Sequence, residues 1–186
     1  MKMAEEKKAG KIAVVRVRGE VDIRRDIRDT LEILNLKRVN RLTIIDATAT
    51  YIGMIQKAKD FITWGEVNDK TLTALIEKWG RKAGGERLDK KEAAEFSKKL
   101  IAGQTSFKKA GIKPYFKLHP PSKGYERGGI KQHVNVGGAL GYRGDRINDL
   151  LAKMAGLKMR AGARINSQDS RVKGKDNLAM KDGSKK

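Results

Sequence analysis

Lys117, Lys123, Arg127 and Lys131 are spaced through a stretch, Ala102 to Gly144, that also holds nine glycines, five of the ten aromatics and a single acid, Glu126. Together such residues recognise a polyanion that carries flat rings. Lys and Arg neutralise phosphates, glycine lets the backbone press close, and Phe or Tyr offers a face to an unstacked base. With almost no acid nearby to pair them, these four cations point to phosphate contacts, a plain solvated face being the alternative. RNA is therefore the first partner to consider. Arg143 and Arg146 extend the set beside Gly137 to Gly144, where successive small residues would let backbone N–H groups approach phosphate; a structural turn is the competing reading. That run lacks the Lys-Ser/Thr of a phosphate loop and sits in no Rossmann unit, so it is not read as a mononucleotide site. Phe107, Tyr115, Phe116, Tyr125 and Tyr142 are read first as anchors of a small core under this segment and second as stacking platforms.

Catalysis has little to stand on. His119 precedes Pro120-Pro121 and His133 follows Lys131-Gln132, with no cysteine and no nucleophile elbow in the chain. Both histidines read as RNA-facing or solvated. Asp22, Asp26 and Asp29 alternate with Arg25 and Arg28 at spacings that suit ion pairs on a helix surface rather than an acid/base couple. Two histidines and no thiolate are too few for a zinc site. We expect no catalytic residue, no metal and no cofactor.

The whole chain is biased in the same direction. Across 186 residues, 42 Lys+Arg against 22 Asp+Glu leave a formal charge of +20. The excess is +7 over residues 1–100 and +13 over 101–186, so the first half reads as scaffold and the second as contact surface. Thermophilic enrichment would raise both signs together, and this excess does not. The first residues, MKMAEEKKAGK, have no apolar h-region, and no apolar run approaches a membrane span, so a cytoplasmic location is expected.

The elements that must position these cations can be read in order. Ile12 to Val17 is a β-branched run and reads as a buried strand. Asp22 is placed as the N-cap of a helix with Ile23, Ile27, Leu31 and Leu34 on one side. Leu42 to Ile45 gives a second strand, Thr50 to Lys59 a short helix, and Phe61 to Val67 a third strand. This β-α-β-α-β order predicts an α+β fold related to the ferredoxin-like class, a three-stranded sheet with helices on one face. Two further helices start at Asn68-Asp69 and at Asp89-x-x-Glu92, which resembles a capping box; the first is expected to end at Gly84-Gly85. A last helix carries Ile147, Leu150, Leu151 and Met154 and stops at Gly156. The expected division is a flexible N-terminus (1–11), an α+β core with appended helices (12–102), an irregular RNA-binding extension with its terminal helix (103–155) and a flexible basic tail (156–186).

At this point the residues carry a family resemblance. Ile12 to Val67, with Gly19, Leu36-Lys37-Arg38-Val39-Asn40, Gly53-Met54 and Lys57, resembles the universal large-ribosomal-subunit protein family L-thirty. Phe116 to Pro121, Ser122-Lys123-Gly124, Gly128-Gly129-Ile130-Lys131, Gly137 to Gly141 and Ile147 to Leu151 are similar to the extension of its archaeal and eukaryotic branch, whose eukaryotic members are called L-seven. The resemblance implies a non-catalytic structural constituent of the large subunit that binds large-subunit rRNA near the 5S rRNA docking region. Neighbouring ribosomal proteins would be its other partners, and no autonomous homo-oligomer is implied. Lys37, Arg38, Lys57, Lys117, Lys123, Lys131 and Arg143 are the contacts it carries over. Ile52 stands where members often have a basic residue before Gly-Met, and the tail after Gly156 matches nothing in the family pattern. The alternatives are a DNA-binding chromatin protein, which should tolerate deletion of the irregular segment, and an RNA-modifying enzyme, which would need an acid/base pair or cofactor pocket.

Overall fold

The computed structural model describes residues 10–107 and 109–157; the expectations for the N-terminal residues 1–9 and for the tail 158–186 lie outside the described residues. The chain begins with strand β1 (Lys11–Arg16), whose β-branched residues pair antiparallel with both β2 (Arg41–Asp46) and β3 (Ile62–Glu66). Val14 sits opposite Thr43 on one side and Trp64 on the other. Two short strands close the edges: β4 (Tyr115–Lys117) runs antiparallel to β2, and β5 (Gly141–Tyr142) runs parallel to β3. The order is β4-β2-β1-β3-β5, so the three-stranded core expected from the sequence lies at the centre.

Helices α1 (Arg25–Ile33) and α2 (Ala49–Lys57) connect the core strands, and α3 (Asp69–Trp79), α4 (Lys90–Ile101) and α5 (Ile147–Ala155) follow. They cover both faces of the sheet, not one. Ala13 and Val15 turn into a core with Leu72, Ile76, Phe96, Phe116 and Leu151, whereas Val14 turns into a second core with Leu31, Leu34, Ile55 and Ile62. A strand with three successive apolar residues has no wet side, because neighbouring side chains point to opposite faces. That two-sided burial makes β1 the axis of the molecule.

Several local expectations are corrected. Asp22 is no N-cap: it lies at φ 55 in a turn, and α1 starts at Arg25 behind Arg24, which offers no side-chain cap. Helix α3 stops at Gly80, ahead of Gly84-Gly85. A Cβ on Gly80 would sit 2.3 Å from the Ile76 carbonyl oxygen, so only glycine lets the chain turn there against its own last helical turn. Gly85, at φ +96, instead turns the short hairpin bridged by Arg81 and Arg87. Asp89 precedes α4 but makes no side-chain cap. The Lys82 ammonium, with help from the Asp89 backbone amide, holds the Glu92 carboxyl below its ordinary range. The last helix matches the sequence closely, with Ile147, Leu150, Leu151 and Met154 buried and Gly156 left-handed at its end.

Candidate nucleic-acid interface

The segment after α4 is fastened to the sheet by its aromatics. Phe116 is buried in β4 and packs edge-on against Phe107, which in turn packs on Phe96. The Tyr125 hydroxyl donates to Asn40 Oδ1 at 3.0 Å, and burial pushes this phenol up. Leu118 N–H donates to the Asn40 carbonyl at 3.1 Å, so one loop residue fixes two points of the segment. Tyr142 differs from the others: it is exposed, and its hydroxyl donates to Glu66.

Fastening the rings leaves the cations outside. Strand alternation buries Phe116 and turns Lys117 to solvent. Lys123 lies at φ 71 in a turn closed by Gly124 N–H on the Pro121 carbonyl, and it is exposed, as are Arg127, Lys131 and Arg146. Among the described residues, none of these five side chains takes part in an ion pair or a hydrogen bond. In the core, Arg38 and Lys57 are likewise exposed, while Lys37 lies 3.7 Å from Glu32. Arg41 pairs with Lys117 across the β2–β4 register, which brings the Lys37-Arg38 loop beside the start of the extension. His133 Nε2 lies 3.3 Å from Asp60 Oδ1 and so ties Lys131 to the turn after Lys57.

Arg143 is placed contrary to expectation. It is buried, and its guanidinium is engaged on every side: Nε donates to Thr63 Oγ1 at 2.9 Å, Nη2 to the Ala139 carbonyl at 3.1 Å, and both terminal nitrogens to the Glu126 carboxylate. The one acid of the basic segment is therefore the counter-ion of its one buried arginine. The Arg143 hydrogen bonds hold the Glu126 carboxyl below its ordinary range, against the opposing effect of partial burial. The glycine run beside it is also turned inward. A Cβ on Gly138 would sit 2.2 Å from the Gln132 carbonyl oxygen, and Gly138, Ala139, Leu140 and Gly141 are all buried. Gly138 serves a close approach of backbone to backbone and Gly141, at φ +91, a close approach to the His133 ring, which favours the structural-turn reading at these two positions.

The family model for ribosomal protein L30p/L7e matches residues 12–62, from β1 to the first residue of β3. Over longer spans the chain is 52% identical to the large ribosomal subunit protein uL30 of Nanoarchaeum equitans, covering 76% of this chain and 96% of the relative. It is 51% identical to that of Methanococcus maripaludis, over 76% of this chain and 97% of the relative. The chain belongs to the uL30 family. For Methanopyrus kandleri the identity is 45%, across 74% of this chain and 99% of the uL30 relative. These full-length uL30 matches reach well past Ile62, so the likeness includes the basic extension as well as the sheet.

Within this uL30 framework, sequence reading missed three groups. Arg16 is almost fully buried at the end of β1 and donates to the carbonyls of Leu36, Lys37, Arg18 and Gly19. Its signal was present, since an arginine two places after Val14 must share that residue's buried face. Asn148 accepts from Asn68 N–H and donates to the Glu66 and Asp145 carbonyls, joining α5 to the start of α3. Trp79, Arg81 and Lys113 come together only through the fold.

Proposed function

We propose that this chain is a structural, non-catalytic constituent of the large ribosomal subunit in the cytoplasm, holding large-subunit rRNA and contacting neighbouring ribosomal proteins. The single observation that carries the rRNA contacts is the row of exposed cations Lys117, Lys123, Arg127 and Lys131, unpaired among the described residues, on a segment where Phe107 and Phe116 are buried and the one acid, Glu126, is taken up by Arg143. Lys37, Arg38, Lys57 and Arg146 extend this contact set, and Arg143 leaves it. Binding is by neutralisation and shape: a rigid, aromatic-pinned surface presents charges at fixed spacing to a folded phosphate backbone. We assign residues 12–102 to the scaffold and 103–155 to the rRNA surface. The position near the 5S rRNA docking region belongs to the same proposal, as does action as a single copy.

The test is binding of the full chain to large-subunit rRNA across a salt series, with comigration of the tagged chain and large subunits in a sucrose gradient. With about six to ten phosphate contacts, affinity should fall roughly a thousandfold or more from low to moderate salt. A flat salt response, or a predominantly soluble pool in the gradient, would contradict the assignment. Protection of 5S rRNA nucleotides in a footprint, lost on removal of the chain, tests the finer placement.

A further inference from the structure

A recess of about 280 Å³ lies between the end of α3, the 81–87 hairpin and β4, lined by Trp79, Arg81, Gly85, Lys113, Tyr115 and Lys117. Its walls are fixed by backbone pairing: Lys113 N–H donates to the Arg81 carbonyl and Ala83 N–H to the Gly111 carbonyl, both at 2.9 Å. Both rings are held by groups outside the lining. Trp79 Nε1 donates to the Ala155 carbonyl at 3.2 Å, and the Arg41 guanidinium stacks 4.5 Å from the centre of the Tyr115 ring. A ligand meeting these rings would find them already ordered, which lowers the entropy lost on binding.

The lining combines three cations and two aromatic rings with no acid. An anion is attracted, and a flat ring completes the fit. At about 280 Å³ the space sits just under the range that encloses a drug-sized molecule, which suits one nucleoside and excludes a duplex. An acidic peptide would meet the cations but leave Trp79 and Tyr115 without a stacking partner.

We propose that this recess takes one unstacked nucleotide of rRNA, its base against Trp79 or Tyr115 and its flanking phosphates on Arg81, Lys113 and Lys117. The inference rests on the rRNA-binding reading above and deepens it, since it adds a base contact to a surface otherwise built from phosphate contacts.

The chain has two tryptophans, Trp64 and Trp79, so Trp64→Phe leaves Trp79 as the sole indole reporter in the full chain. At low salt, a short single-stranded oligoadenylate should quench Trp79 emission saturably, while inorganic phosphate and an oligoglutamate peptide should not. Combining Tyr115→Leu with Lys113→Gln should weaken the oligoadenylate response by about tenfold or more, with circular dichroism unchanged. Should the double variant unfold, Lys113→Glu alone should give the loss. Unaltered quenching in a folded variant overturns the proposal, and equal quenching by oligoglutamate overturns it in favour of an acidic protein segment. Tighter binding of adenosine monophosphate than of oligoadenylate overturns it in favour of a free nucleotide. Absence of any oligoadenylate response in a chain that still binds large-subunit rRNA overturns the recess alone, whereas loss of both removes the proposed function as well.

Discussion

The central strands of the sheet, with the residues flanking them, and the basic extension handle arginine and lysine in opposite ways. In the core, Arg16 is swallowed by backbone carbonyls, Lys11 pairs with Asp46, and Arg18 and Arg41 lie over the rings of Phe61 and Tyr115. In the extension one arginine is consumed inside, by Glu126, and Lys117, Lys123, Arg127 and Lys131 have no protein partner among the described residues. Charge density alone does not separate these uses; the position of the counter-ion does. A cation whose partner lies in the same chain contributes to folding, and one without a partner is available to RNA.

The largest effect that can break this contrast is a packing one. Phe116 joins the two regions, since it pairs with Leu42 in the sheet and packs against Phe107. Phe116→Ala should destabilise the chain by about 4 kcal/mol, read as a lowered urea midpoint. A loss under about 1 kcal/mol would mean that the extension folds independently of the sheet. Next comes the joint replacement of Lys117, Lys123, Arg127 and Lys131 by Gln. It should weaken rRNA binding by about a hundredfold at moderate salt and reduce the slope of log affinity against log salt by roughly 3, with the urea midpoint unmoved. An unchanged slope would show that these cations meet water rather than phosphate.

The parts of this contrast that were legible in the sequence are those fixed by local pattern. Ile12 to Val17 announced a strand by composition, Asn68-Asp69 announced the start of a helix, and Gly156 announced the end of the last helix through the left-handed φ it permits. What was hidden depends on partners distant in sequence. Strands β4 and β5 are too short to show a period and exist because β2 and β3 offer free edges. Arg143 and Lys117 are alike as letters, and only the approach of Glu126 and Thr63 takes one of them inside. The same holds for the recess: Trp79 and Tyr115 are far apart in the chain, and its hairpin wall forms because α3 stops early at Gly80.

A paired substitution sharpens the contrast at single-residue scale. Arg143→Gln leaves Glu126 without its counter-ion and Thr63 and Ala139 without their donor, and should cost about 2 kcal/mol of stability while leaving the rRNA salt slope as it is. Lys117→Gln should do the reverse, lowering the slope by about 1 with no measurable change in stability. If Arg143→Gln lowered the slope in a folded chain, the interior placement of that guanidinium would be wrong.

The smallest effect is a pH dependence confined to Glu126. Its carboxyl is held below the ordinary range by Arg143, so the unfolded chain takes up a proton at higher pH than the folded one does. Stability from this pair is then complete above the unfolded carboxyl value, about 4.3, and is lost as pH falls through the lower folded value. The carboxylate is 41% exposed, which screens the pair and limits the contribution to about 1 kcal/mol or less. Urea midpoints of the native chain and of Glu126→Gln, followed from neutral to acid pH, should differ at neutrality and converge in acid. The difference belongs to the hub that closes the extension on the sheet, so Glu126→Gln should leave the salt dependence of rRNA binding unchanged. Parallel curves at all pH values would mean that Glu126 acts on Arg143 by shape alone, and the division between inward and outward charge would then rest on packing rather than on ion pairing.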